Sequence, residues 1–207
     1  MTITAFKRQK KHLTGLILSD GREILLDNDT CTDFCLKQDA EITEERLQEL
    51  IYDSEYRRAK SRALWYLDRA DRTEKGLYRK LCEAGFDKKV SAAVVARFVE
   101  VGLLDDRRFA ENFAERCKDS NISPRETVRR LYEKGISYDM AKEIVSETET
   151  DEETQIRALI EKKYARKLEL ENGAEKVYAA LIRKGFSFSA VRNVLKKYSE
   201  ELEYSEE

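Results

Sequence analysis

The chain has one proline, one histidine and one tryptophan in 207 residues, and its eight glycines are scattered. So little proline leaves long stretches free to run as uninterrupted helix, because proline removes a backbone donor and clashes with the preceding turn. His12 alone gives a histidine-based triad too few groups to assemble. The glycines form neither G-x-x-x-x-G-K-[ST] nor G-x-G-x-x-G, so no phosphate-cradling loop is expected. No run approaches the roughly 18 apolar residues of a spanning helix, and MTITAFKRQKKHL has no long apolar run of a signal peptide. A cytoplasmic location with no membrane partner is therefore expected. Cys31, Cys35, Cys82 and Cys117 are expected as reduced, partly buried thiols. CTDFC has no second soft pair to complete a zinc site, so neither a metal nor any other cofactor is expected.

Charge is what the chain has in quantity. Charged residues make up 39% of it, yet 39 basic and 41 acidic side chains leave a net charge of −2. That balance argues against coating of nucleic acid through bulk charge alone and leaves local basic patches open, so net charge discriminates weakly here. High charge with so little proline and glycine indicates a strongly helical protein with long solvated faces.

The helices announce themselves by repetition. KLCEAGF at 80–86, RLYEKGI at 130–136 and ALIRKGF at 180–186 recur at intervals of fifty residues. A glycine in left-handed conformation ends a helix, and the apolar residue after it packs back on the last turn. Phe86 would then meet Leu81 across Gly85, Ile136 would meet Leu131 across Gly135, and Phe186 would meet Leu181 across Gly185. Asp87, Ser137 and Ser187 follow as caps for a further helix. Ser123-Pro124-Arg125-Glu126 reads as a capping box with proline at the first helical position. Apolar residues recur in equivalent places: Tyr78 and Cys82, then Val128 and Tyr132, then Tyr178 and Ile182. A longer helix precedes each pair, over roughly 44–70 (continuous or broken), 105–118 and 152–171.

The expected fold is mainly α: tandem three-helix repeats in an elongated array, with a small N-terminal β element. The expected boundaries are 1–43 for the β element, 44–102 and 103–150 for the first two units, and 151–207 for the third with its acidic tail. Within the β element, Ser19-Asp20-Gly21 signals a hairpin in HLTGLILSDGREILLDN. ITAFKRQ and TDFCLK are candidate edge strands. The hairpin's small, sequence-local apolar face makes residues 1–40 look dispensable for the helices. ETETDEE at 147–153 reads as an acidic connection, and SEELEYSEE as a frayed, solvated tail.

No nucleophile, tuned acid or metal cluster is apparent, and Asp105-Asp106 is explained by helix capping and the macrodipole. A non-enzyme is expected, with its chemistry on the surface. Arg58, Arg62, Trp65 and Arg69 fall near one helix face and could grip phosphates or stack on a base. The sequence alone favours Trp65 as core with the arginines rimming it. Arg79-Lys80 and Arg129-Arg130 occupy equivalent places in units one and two, suggesting a basic ridge. The third unit has Ala179-Ala180 there.

LLDDRRFAENFAERC at 103–117, with KLCEAGF before it and RRLYEKGI after it, resembles the RecX family of bacterial recombination regulators. The similarity runs over about residues 60–198 and is clearest from 73 to 145. The N-terminal β segment departs from the shortest members. The resemblance implies tandem three-helix repeats that bind RecA nucleoprotein filaments in their groove. It also implies inhibition of ATP hydrolysis, strand exchange and filament growth, without catalytic activity or cofactor. Arg107 and Arg108 in the L-D-D segment join the contact candidates. The partner is then a RecA filament, with single- or double-stranded DNA as a further contact, and the protein itself is expected to be a monomer. Two other readings stay open: a helix-turn-helix protein reading DNA directly, and a helical scaffold without nucleic acid.

Overall fold

The structure, a computed structural model, describes residues 1–10, 12–148 and 150–205. Glu149 of the acidic connection and the last two residues of the acidic tail lie outside the described residues. The chain divides into two compact units, Met1–Asp105 and Asp106–Glu207.

The first unit opens with three antiparallel strands in sequence order, β1 (Ile3–Lys10), β2 (Leu13–Leu18) and β3 (Glu23–Asp27). Gly21, at φ +86°, turns β2 into β3 where the Asp-Gly pair stands. TDFCLK is not an edge strand. Asp27 accepts from the Asp29 amide at 3.0 Å and starts a short helix, α1 (Asn28–Asp33). A capped amide turn there leaves no strand backbone to pair.

Helix α2 (Glu44–Arg69) runs unbroken over 26 residues. Thr43 caps it by accepting from Arg46 N at 3.2 Å. Its first half buries Leu47 and Leu50 against Ile3, Leu16, Leu18 and Leu26 of the sheet. The β element is thus no appendage, because the same apolar cluster closes the start of α2. The second half presents Ala59 and Ala63, one turn apart, to α3 (Glu74–Glu83) and α4 (Lys88–Glu100). Leu77, Leu81, Val94 and Phe98 complete that core. The small alanines let neighbouring helices approach closely, and each fully buried leucine contributes about 1.5–3 kcal/mol.

The second unit repeats the plan twice. Helix α5 (Asp106–Asp119) offers Ala110 and Ala114 to α6 (Pro124–Glu133) and α7 (Tyr138–Glu147), around Leu131, Ile136 and Ile144. Then α8 (Glu152–Leu159), a π-helical turn (Ile160–Tyr164) and α9 (Ala165–Leu168) replace the single helix expected over 152–171. They pack with α10 (Gly173–Arg183) and α11 (Phe188–Ser205) around Ile156, Ile160, Val177, Leu181 and Val191. Counted back from Gly185, Ile160 and Tyr164 stand where Ala110 and Ala114 stand before Gly135, and there the helix carries its π turn.

The repeated turns share one hydrogen-bond scheme. Phe86 N donates to Leu81 O at 3.2 Å, Ile136 N to Leu131 O at 3.1 Å, and Phe186 N to Leu181 O at 3.3 Å. Gly85, Gly135 and Gly185 have φ of 91°, 104° and 90°. These are Schellman closures, which only a residue tolerant of positive φ allows at low cost. Asn121, at φ 54°, closes α5 the same way, with Ile122 N donating to Cys117 O at 2.9 Å.

Candidate functional site

Trp65 is not core. It is 44% exposed, because the buried stripe of α2 runs through Ser54, Ala59 and Ala63. Two residues beyond Ala63 lies about 200° further around the helix, which turns Trp65 to solvent. The guanidinium of Arg69 sits 3.5 Å from its ring centroid and that of Arg62 5.4 Å. Arg69 also donates to Trp65 O at 3.1 Å, so one ring face is covered by a cation anchored to the same helix. Arg58, half-buried, reaches back to Ser54 O at 3.4 Å. Arg58, Arg62 and Trp65 border a cleft of about 660 Å³ that His12, Asp27 and Asp29 also line. Among the described residues, none of Arg58, Arg62 and Arg69 forms an ion pair.

The supposed basic ridge is different in character. Arg79 and Lys80 both lean on Glu83, at 3.6 and 2.8 Å. Arg129 pairs with Glu126 at 2.7 Å and also with Glu133, while Arg130 takes the same Glu126 at 2.7 Å. The Arg129 guanidinium, joined by Arg130, holds the Glu126 carboxyl at about 2 against the upward pull of partial burial. A cation already matched by an acid on its own helix projects little field. Arg107 is likewise committed, bridging α5 to α7 through Glu143 at 2.8 Å and Glu147 at 3.2 Å, with Glu111 at 3.1 Å. Arg108 lies exposed in the first turn of α5.

The turn residues Leu81, Phe86, Leu131, Ile136, Leu181 and Phe186 face inward. In the second unit they also bring two repeats together. Ser123, 1% exposed at the start of α6, donates to Lys184 O at 2.7 Å in the turn before Gly185.

Sequence reasoning missed a groove at this junction. Tyr132, expected in the buried stripe, is 61% exposed, and Tyr138 is 58% exposed. With Val128, Ile182, Arg125 and Lys142 they line a groove of about 890 Å³. Tyr132 immediately follows the buried Leu131, so a rotation of about 100° carries it off the stripe. Its phenol can remain wet at that edge. Among the described residues no group of three or more histidine, cysteine, aspartate or glutamate side chains could hold a metal ion. No helix among them is long and apolar enough to cross a membrane.

Comparison with known proteins agrees with this repeat structure. The model of the first three-helix domain of RecX matches residues 59–98, and that of the third three-helix domain of RecX matches 151–195. Regulatory protein RecX of Lactococcus lactis subsp. cremoris (strain MG1363) is 30% identical over 213 residues, covering 99% of this chain and 78% of that protein. Regulatory protein RecX of Clostridioides difficile (strain 630) is 28% identical over 201 residues, 94% of each chain. A crystal structure of a regulatory protein RecX superposes with TM-score 0.69 at 20% identity, covering 93% of this chain and 98% of the other. RecX from Lactobacillus salivarius gives 0.62 at 22%, covering 69% and 96%. The chain belongs to the RecX family.

Proposed function

We propose that this protein binds RecA nucleoprotein filaments and slows their ATP hydrolysis, growth and strand exchange, without catalysis of its own. The observation that carries the reading is the thrice-repeated three-helix unit, in a chain whose full-length relatives are named regulatory proteins. A regular series of similar surfaces suits a partner that is itself a regular series of subunits. The proposed modules are 1–43, 44–102, 103–150 and 151–207.

Of the candidate contacts, the unpaired arginines around Trp65 are favoured over the ridge. Arg62 and Arg69 stack on an exposed aromatic ring with Arg58 in the adjoining cleft, and none of the three forms an ion pair among the described residues, the combination that tends to carry binding energy at interfaces. Arg79, Lys80, Arg129 and Arg130 would have to release Glu83, Glu126 and Glu133 first. Reversing those four to glutamate would also crowd like charges on α3 and α6, mixing a folding effect with a binding effect.

The test is RecA ATP hydrolysis on single-stranded DNA, titrated with full chain and with a variant carrying Arg58→Gln, Arg62→Gln and Arg69→Gln. Inhibition by the full chain that weakens at least tenfold in the variant is expected. Equal inhibition by both removes the Trp65 cluster from the interface.

A further inference from the structure

The groove between the second and third repeats is basic at its rim and apolar within. Arg125, Lys142 and Arg183 line it, all three exposed, and among the described residues none of them forms an ion pair. Arg183 donates to Ala179 O on its own helix, at 3.3 Å. The one acid in the lining, Glu126, is already held by Arg129 and Arg130. Val128 and Ile182 lie beside the two exposed rings of Tyr132 and Tyr138.

Such a groove suits a segment that is acidic and partly apolar, and the chain itself contains one. SEELEYSEE, residues 199–207, sets five glutamates among Leu202 and Tyr204, so both its sign and its apolar residues match the groove. ETETDEE at 147–153 is acidic too, but it is tied within its own unit. Glu147 pairs with Arg107 at 3.2 Å, Glu153 pairs with Lys197 at 2.8 Å, and Glu152 accepts from Ser187 N at 3.3 Å.

Helix geometry decides which copy supplies the tail. Gly185 lines the groove, and α11 begins three residues later at Phe188 and runs to Ser205, a length of about 27 Å. A helix that starts beside the groove carries its far end away from it, so a chain cannot fill its own groove while α11 stands.

We infer that the acidic tail of one copy docks in this groove of a second copy, with its glutamates against Arg125, Lys142 and Arg183 and its apolar residues against Tyr132 and Tyr138. Tail and groove are different surfaces, so the contact is heterologous and joins copies in series, head to tail. Salt screens exposed charge, so the association belongs to low ionic strength and high protein concentration. The monomer expected from the sequence is then the dilute, high-salt state. The inference goes beyond the filament reading and does not depend on it.

Sedimentation velocity of the full chain without RecA tests it. Mean mass should rise with protein concentration at low salt and return to that of a single chain at high salt. One full-length variant neutralises the tail with Glu200→Gln, Glu201→Gln, Glu203→Gln, Glu206→Gln and Glu207→Gln. A second neutralises the groove with Arg125→Gln, Lys142→Gln and Arg183→Gln. Association of each variant alone should weaken by about tenfold or more. An equimolar mixture of the two should form pairs and nothing larger, because one partner keeps the groove and the other keeps the tail. A full chain that stays single at every concentration overturns the proposal. So do variants that associate as the full chain does, or a mixture that stays unpaired while circular dichroism of both variants is unchanged. A synthetic peptide of residues 199–207 should break up the association of the full chain. If polyglutamate does so equally well, the groove takes any acidic segment and the proposal fails. A full chain that stays single while the peptide enters only the tail variant means that the tail folds back on its own groove, which also overturns it. Because RecA is absent, failure here leaves the filament test standing, and the reverse holds too.

Discussion

The contact between Ser123 and the turn at Gly185 allows a prediction in which two glycines of the same conformation part company. Gly85 and Gly185 have φ of 91° and 90°, so alanine at either costs about 1–2 kcal/mol for the left-handed backbone. At Gly85 an added Cβ meets nothing within 4 Å. At Gly185 it would stand 2.8 Å from Ser123 Oγ. That hydroxyl cannot simply turn away, for it donates to Lys184 O at 2.7 Å and accepts from Glu126 N at 3.3 Å. Moving it forfeits a buried hydrogen bond, about 1 kcal/mol, and part of a helix cap of similar worth. Gly185→Ala should therefore cost about 1–2 kcal/mol more than Gly85→Ala. Ser123→Ala alone should cost about 2 kcal/mol, and the double variant should fall short of the sum by about 1 kcal/mol. Urea titrations followed by circular dichroism, fitted for each compact unit if their transitions separate, give all four values. Equal costs at the two glycines, or additivity within about 0.5 kcal/mol, would refute the repeat-to-repeat contact.

Three further outcomes follow from the same structure. The single tryptophan should be readily quenched by iodide, and Trp65→Ala should change stability by less than about 1 kcal/mol, whereas a buried ring would cost about 3–5. Glu126 has its carboxyl lowered from 4.5 to about 2, so its pairing stabilises the fold above pH 4.5 and that contribution is lost as pH falls towards 2. Acid titration of stability should fall over that window, and Glu126→Gln should lessen the fall. Deleting residues 1–40 strips the cover from Leu47 and Leu50, so far-UV circular dichroism should lose about three helical turns at the start of α2 while the remaining helices persist.

The helix ends were the legible part of the sequence. Gly85, Gly135, Gly185, Asp87, Ser137 and Ser123-Pro124 act through backbone conformation and local hydrogen bonds, which depend on neighbours a few residues away. The sheet turn at Gly21 was legible for the same reason. Asp27 was not: its side chain starts α1 where alternation suggested a further strand. Surface character was harder still. Whether Trp65 or Tyr132 faces water depends on which neighbouring helix claims the adjacent stripe, and a shift of one residue rotates a side chain by about 100°. The pairing of Arg129 and Arg130 with Glu126 could be read from their spacing, since residues three and four apart on a helix meet. The groove of Tyr132, Tyr138 and Arg183 could not, because its residues come from separate repeats. The Ser123 hydroxyl on the Lys184 carbonyl and the Gln155 amide on the Lys118 carbonyl tie those repeats, each through one unremarkable side chain.

Co-sedimentation with preformed RecA filaments on single-stranded DNA tests the central claim most directly. The full chain should pellet with the filaments in a saturable way. The Arg58→Gln, Arg62→Gln, Arg69→Gln variant should pellet less, with the difference narrowing as added salt screens exposed charge. A full chain that stays in the supernatant at every filament concentration would contradict the proposed function.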